Sequence, residues 1–527
     1  MLDDSFHVYD TTLRDGAQQE GLNLSVADKL AIAAELDELG VGFIEGGWPG
    51  AIPKDTEFFR RAAQELNLKH AQLAAFGATR RAGVQAADDP LVAALRESRA
   101  PVVTLVAKSH DRHVELALRT TLDENLNMIR DTVSHLTQNG QRVFLDAEHF
   151  FDGYKDNPEY ALEVVRTAAE AGAGVVALCD TNGGMMPSEL GDIVHAVAAK
   201  TQARVGIHCH DDTACGVANT LVAVDAGATH VQGTANGYGE RAGNANLFSV
   251  VAGLQLKKGR IVVPETGLKE MSRIAHAISE VTNVSPDTHQ PYVGLSAFAH
   301  KAGLHASAIK VDPMLYQHID PELVGNDMRM LVSDMAGRAS VELKGRELGY
   351  DLSENKQAIA AITDKVKDLE AKGYTFEAAD ASFELLLRNE LGQRSEFFAV
   401  ESWRVITERL ADGQVTSEAT VKLTAKGERL LAVGEGNGPV NALDKALRAA
   451  LEQIYPELAM LELTDYKVRI IEGTHGTDAT TRVLIESTGD GDTWSTVGVD
   501  ENIIAASWHA LEEAVTYCLL RSGRAPD

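Results

Sequence analysis

Residues 142–180 read RVFLDAEHFFDGYKDNPEYALEVVRTAAEAGAGVVALCD. The apolar run RVFLDAE at 142–148 is followed by YALEVVRTAAEAG at 160–172, whose apolar residues recur at helical spacing. A second apolar run, GVVALCD at 174–180, closes the stretch. This is strand, helix, strand, with Gly172 where a helix C-cap falls. Outward from it the pattern repeats. FHVYD at 6–10, GFIEGG at 42–47, AQLAAF at 71–76 and VVTLVAK at 102–108 come before, and RVGIHCH at 204–210 and THVQGT at 229–234 come after. VADKLAIAAELDELG at 26–40 and VANTLVAVDAG at 217–227 are helical and end on Gly40 and Gly227. Eight strands and eight helical segments within residues 6–256 match a (β/α)8 barrel in number and length. The alternative is an open doubly wound sheet. No G-x-G-x-x-G follows the first strand, so no dinucleotide site is expected there.

The chain has 527 residues, 44% of them hydrophobic and 24% charged, as ordinary globular proteins do. Its net charge of −28 argues against a phosphate-tracking nucleic-acid binder and against an anionic-membrane binder. A few local arginines still suffice for a small anionic substrate. The cysteines, Cys179, Cys209, Cys215 and Cys518, form no C-x-x-C pair and no disulfide framework. The opening MLDDSFHVYD lacks the layout of a signal peptide. No apolar run approaches the ~20 residues of a membrane span. A reducing, cytoplasmic setting is expected.

Three regions are expected: a catalytic barrel at 1–261, a helical extension at 262–394 and a C-terminal domain at 395–527. Helical patterns lie near 267–281, 297–309, 338–348 and 354–371. In the last region EFFAVESWRVITER and VTSEATVKLTAKGERLLAVGEG read as a strand pair before the helix PVNALDKALRAALEQIY. KVRIIEG and TTRVLIESTGDGDTWSTVGVDE repeat the arrangement before AASWHALEEAVTYCLL, giving a doubled ββα unit. The fold class expected is α/β: a barrel, a helical extension and a doubled ββα regulatory domain.

Barrels of this kind keep catalytic groups at the C-terminal ends of their strands. Strand one runs into Arg14-Asp15, a cation beside a metal-capable carboxylate. Strand seven ends in His208-Cys209-His210. Alternation puts the two imidazoles on one face and Cys209 on the other, which disfavours Cys209 as a nucleophile. Two histidines and one carboxylate leave positions open for water or substrate, as a catalytic divalent ion requires. A plain hydrogen-bonded histidine pair is the alternative. Strand five offers Glu148 as an acid or base, and strand two offers Glu45 as a buttress for Arg14. Strand six ends in Cys179-Asp180-Thr181-Asn182-Gly183-Gly184, and Gly237-Tyr238-Gly239-Glu240-Arg241-Ala242-Gly243-Asn244 follows strand eight.

DTTLRDG at 10–16, HCHDD at 208–212 and GERAGN at 239–244 resemble the DRE-TIM metallolyase superfamily. More closely, they resemble its condensing branch of isopropylmalate, homocitrate and citramalate synthases. HKAGLHASAI at 300–309, DPMLYQHIDPELVGN at 312–326 and the doubled tail extend the resemblance over nearly the whole chain. Within the branch, DTNGG at 180–184 and HCHDD look most like citramalate synthases; isopropylmalate synthases usually carry DTVGY and an HCHND-type segment.

The resemblance implies an acyltransferase condensing acetyl-CoA with pyruvate and hydrolysing the thioester, in isoleucine synthesis. Isopropylmalate or homocitrate synthesis, with a larger 2-oxo acid, is the alternative. A non-catalytic amino-acid sensor on an inactive barrel is the alternative of another class. The resemblance further implies that Asp15, His208 and His210, with Asn244 nearby, hold Mn²⁺, Mg²⁺, Co²⁺ or Zn²⁺. Arg14 and Thr181 bind the 2-oxo acid, and Glu45 supports Arg14. Glu148, with His305 and Tyr316 from the extension, serves acetyl-CoA enolisation and thioester hydrolysis. A homodimer or higher homo-oligomer, and isoleucine as feedback ligand, complete what the resemblance implies.

Overall fold

A computed structural model describes residues 4–393, 395–471, 479–524 and 526. The expected domain edge at 394 and the end of KVRIIEG lie outside the described residues. Packing gives two compact units. One runs to Phe298 and includes Ile319–Asp327; the other holds Ala299–His318 and the chain from Met328 onward.

In the first unit eight parallel strands close into a barrel in sequence order. They are β1 (His7–Asp10), β2 (Phe43–Gly47), β3 (Gln72–Ala78), β4 (Val102–Lys108), β5 (Arg142–Glu148), β6 (Val175–Asp180), β7 (Val205–Cys209) and β8 (His230–Gly233). β8 closes on β1 with Gln232 opposite Tyr9. Parallel strands are covered on both faces, so they read as continuous apolar runs with no polar alternation. The outward set, including Ile44, Val103, Leu145, Leu178, Ile207 and Cys209, packs into one core that also takes in the helices' apolar faces. Ser25 caps the first of these helices, Val26–Leu39, in a capping box with Asp28. Gly40 ends it in the left-handed region at φ 94°, which glycine adopts without strain.

The inward set is layered. Tyr9, Phe43, Ala74, Val102, Phe144 and Val175 make an apolar floor. Successive same-face residues lie two apart along a strand, so the next layer holds Glu45, Thr104, Asp146 and Gln232. All four are buried and polar. The layer above carries Val106, Glu148, Cys179 and His208 at the mouth. The lumen thus grades from aromatic to polar along its axis, and its polar end is where the strands finish.

In the second unit Ala299–His300 pairs in parallel with Arg329–Met330. The sequence pattern suggests helix from 297, but this long-range pairing, invisible to local periodicity, delays the helix to Gly303–Ile309. Helices Arg338–Glu347, Lys356–Ala371 and Asp380–Glu390 follow. The expected ββα repeat is a βββα repeat. β9 (Ala399–Arg409), β10 (Val415–Ala425) and β11 (Glu428–Gly436) form one antiparallel sheet, followed by helix Pro439–Leu451. β12 (Glu462–Ile470), β13 (Thr481–Gly489) and β14 (Asp492–Asp500) form the other, followed by helix Ile503–Arg521. The extra strand in each half comes from a two-residue hairpin, Lys426-Gly427 and Asp490-Gly491. All four residues have positive φ, the turn geometry that matches strand twist. Both helices and the inner faces of both sheets share one core, with Leu443, Leu447, Val421, Ile485 and Leu511 in it.

Candidate active site

After Asp10 the chain turns tightly, with the N–H groups of Arg14, Asp15 and Gly16 all donating to the Thr11 carbonyl. Asp10 holds the turn by accepting from the N–H and hydroxyl of Thr12. This sets Arg14 over the Phe76 ring, 3.9 Å from its centroid. Arg14 Nε donates to Glu45 Oε1 at 2.6 Å, and Nη1 donates to Asp15 Oδ1 at 2.9 Å. Those contacts use two of its five N–H groups and leave the rest of the fork for a ligand. Glu45 also accepts from the hydroxyls of Thr11 and Tyr9.

Asp15 Oδ2 lies 3.2 Å from Nε2 of His208 and 3.6 Å from Nε2 of His210. It is buried and makes no aligned hydrogen bond. Burial alone would raise the Asp15 carboxyl, but Arg14 and His208 outweigh it and hold it well below the usual range. Burial, reinforced by His208, pushes His210 down to about 4. Burial also works against protonating His208, while Asp15 more than offsets it, so His208 is raised.

Asp15, His208 and His210 present donor atoms all within 4.8 Å of one another. Asn244 pairs across an isolated bridge with His210; its Nδ2 donates to the Tyr238 carbonyl, and its buried Oδ1 has no partner. A Cβ at Gly239 would lie 2.2 Å from that Nδ2, at a φ of +155°, so only glycine leaves Asn244 its place. Two imidazoles, a carboxylate oxygen and an orphaned amide oxygen fit a divalent cation.

At the end of β5, Glu148 pairs with Lys108 of β4. Burial first, and then the charge of Glu45, push Asp146 up to about 7. Thr181 accepts from the His149 N–H at 2.8 Å, which leaves its hydroxyl hydrogen to donate. Arg241 forks onto Asp212 at 2.8 and 3.0 Å and donates to the Thr181 carbonyl, tying together the loops after β6, β7 and β8. A cavity of about 300 Å³ takes in Arg14, Asp15, Glu148, Thr181, His208 and His210.

The first unit therefore brings together Arg14, Asp15, Glu45, Glu148, Thr181, His208, His210 and Asn244. His305 and Tyr316 belong to the second unit, where their rings stack at 4.1 Å. Cys209 packs outward in the core, as alternation expects. Sequence reasoning missed Asp146, Gln232, Lys108 and Arg241. Asp146 and Gln232 were within reach, being two residues from Glu148 and from His230 on inward faces. Lys108 carries no comparable signal, because its role depends on neighbouring strand ends; Arg241 lies in GERAGN, but its partners Asp212 and Thr181 emerge only on loop closure.

Residues 5–278 match the HMGL-like family, residues 292–374 the homocitrate synthase post-HMGL domain-like family, and residues 377–519 the LeuA allosteric (dimerisation) domain. The chain is 70% identical over 526 residues to an (R)-citramalate synthase of Streptomyces coelicolor, covering 100% of this chain and 98% of that one. It is 50% identical to one from Aquifex aeolicus, with 98% of each chain covered. It is 34% identical to a probable 2-isopropylmalate synthase of Methanopyrus kandleri, again over 98% of each.

Proposed function

The chain belongs to the HMGL-like family and, within it, to the (R)-citramalate synthases, and on that premise we propose that the cavity at the barrel mouth is where acetyl-CoA and pyruvate condense. The protein is an acyltransferase. Acetyl-CoA, pyruvate and water give (R)-citramalate and CoA. The observation that carries the site assignment is the convergence of Asp15, His208 and His210 beside the Arg14 fork.

Asp15, His208, His210 and Asn244 hold the divalent cation, for which Mn²⁺, Mg²⁺, Co²⁺ and Zn²⁺ are all suited. A cation bound there supplies Lewis acidity to the carbonyl of the 2-oxo acid. Arg14 donates to the pyruvate carboxylate and to the oxygen on which charge develops. The Thr181 hydroxyl donates to the same substrate, and Glu45 keeps the guanidinium aimed. Glu148 takes the methyl proton of acetyl-CoA, and the resulting carbanion attacks C2 of pyruvate; the carbonyl π pair moves to the C2 oxygen, which takes up a proton and becomes the tertiary hydroxyl. Water then cleaves the thioester. His305 and Tyr316 serve proton transfer in enolisation and hydrolysis, from this chain or from a second copy. Phe76 and Val106 line the acceptor side. Two extra carbons on the acceptor are worth roughly 1.6 kcal/mol of burial, enough for these side chains to choose between acceptors.

The match to the LeuA allosteric (dimerisation) domain supports a homo-oligomer, and isoleucine is the feedback ligand proposed for it. A cavity at the start of helix Pro439–Leu451, lined by Gly438, Asn441, Asp444, Leu463 and Tyr466, suits a small zwitterion with an apolar side chain. No helix among the described residues is long and apolar enough to cross a membrane; the cytoplasm is the proposed location. The test is thiol release from acetyl-CoA across a panel of 2-oxo acids, with and without chelator. Pyruvate is expected to be preferred, with activity lost on chelation. Preference for 2-oxoisovalerate would indicate isopropylmalate synthesis, and no turnover on any acceptor would indicate a sensor.

A further inference from the structure

Gln232 stands between the candidate cation site and the floor of the barrel. It is wholly buried and, in the register of β7 with β8, lies directly opposite His208. Its Oε1 is 2.9 Å from Nδ1 of His208. Its Nε2 donates to Asp146 Oδ1 at 2.8 Å and lies 3.3 Å from Nε2 of His230.

A side-chain amide has one donating end and one accepting end. Asp146, in its ionised form, presents a carboxylate oxygen to the nitrogen end. Turning the amide over would set oxygen against oxygen there, so the amide oxygen faces His208. That oxygen only accepts, so Nδ1 of His208 carries the hydrogen. With hydrogen on Nδ1, Nε2, the atom that faces Asp15, is the nitrogen that can bind a cation once its own proton is given up. His210 is different, because its buried Nδ1 has no hydrogen-bond partner. The two histidines of β7 are therefore unequal, one with its tautomer set by the protein and one without.

We propose that Gln232, oriented by Asp146, is a positioning residue that fixes His208 in the Nδ1–H tautomer and aims Nε2 at the cation. This rests on the reading of Asp15, His208 and His210 as the cation site. Partners of this kind behind a ligating histidine commonly change metal affinity about 10- to 100-fold when lost.

The test measures Mn²⁺ binding to the metal-stripped full-length chain by electron paramagnetic resonance, together with ¹⁵N–¹H spectra of histidine in the Zn²⁺-loaded chain. Gln232→Leu, close in volume, is expected to weaken Mn²⁺ binding about 10- to 100-fold. Gln232→Glu keeps an acceptor for Nδ1–H but loses the donor to Asp146, and is expected to bind Mn²⁺ more tightly than Gln232→Leu. The wild-type spectrum is expected to show His208 bound through Nε2 with hydrogen on Nδ1. Unchanged Mn²⁺ affinity in Gln232→Leu, or coordination of His208 through Nδ1, would overturn the positioning role while leaving the cation site standing. Unchanged affinity in His208→Ala would remove the cation site and the positioning role together.

Discussion

Arg14 and Glu45 meet inside the barrel, Nε to Oε1 at 2.6 Å, with the carboxylate wholly shielded from solvent. The pair fixes the plane of the guanidinium, and the Phe76 ring lies against it. A lysine would keep the charge and lose both the fork and the plane. Arg14→Lys is expected to lower kcat at least about 10²-fold, the scale seen when an oxyanion donor is removed. Thiol release at saturating pyruvate checks this. Near-normal kcat with a raised pyruvate KM would restrict Arg14 to binding.

The donor set separates β7 into two functional faces. His208→Ala and His210→Ala are expected to lose bound metal and turnover, and added Mn²⁺ or Co²⁺ should restore wild-type activity after chelation. Cys209→Ala alters only the outward core and should retain its metal. Metal analysis of the purified variants distinguishes the faces, and full activity of a metal-free preparation would contradict the assignment.

Gly239 makes room for Asn244. Gly239→Ala would force either the backbone from φ +155° or the amide from its place. The expected result is weaker cation binding in a folded protein, with a stability cost above ~1 kcal/mol from the backbone conformation alone. Calorimetric titration with Mn²⁺ reads the first and urea unfolding reads the second. Wild-type affinity in this variant would show that Asn244 does not contribute to holding the ion.

Two buried histidines one strand step below the apolar floor, His7 and His230, carry a pH dependence of their own. Burial pushes His7 down to about 4, and it drives His230 well below its ordinary value. In the unfolded chain each titrates near 6.5. Between about 4 and ~6.5 the unfolded chain therefore binds protons that the folded barrel does not, so stability falls as pH drops through that window. A loss of about 2 kcal/mol from His7 between pH 7 and pH 5 is the expected order, with His230 adding to it in the same direction. Urea unfolding of wild type and His7→Phe at both values checks it. The variant's stability should depend less on pH, and identical pH dependence would show that His7 is not the titrating group.

Isoleucine at millimolar concentration is expected to slow the full-length enzyme, with leucine far weaker. Asp444→Asn, in the cavity beside helix Pro439–Leu451, should shift the isoleucine response and leave the uninhibited rate unchanged. If neither amino acid alters the rate, the C-terminal domain is an assembly module without a sensing role.

The barrel and the metal ligands were legible because both are written in short-range pattern. Eight apolar runs separated by helical spacing define the fold, and the i, i+2 rule puts His208 and His210 on one face. The third strand of each C-terminal half is hidden in the sequence, although Asp490-Gly491 is a strong hairpin signal, because the runs flanking the turn merge into one strand pattern. Lys108 beside Glu148 was hidden for a different reason. Their partnership depends on the register between β4 and β5, which no single segment encodes. The loops Gly434–Gly438 and Gly489–Asp492 look alike in composition. The described cavity takes in Asn437 and Gly438 of the first, while the second closes a hairpin.

The cation's proposed ligands are spread along the chain from Asp15 to Asn244, on the first strand's turn, the seventh strand and the loop after the eighth. β1 can pair with β8 only after nearly the whole barrel has been made. No nascent chain shorter than about half the protein can therefore assemble the donor set. The donors meet only as the ring closes, and an ion held by them would link the two ends of that ring. Scarcity of the ion during synthesis should then leave barrels that are closed and inactive, ready to be rescued by metal alone without refolding.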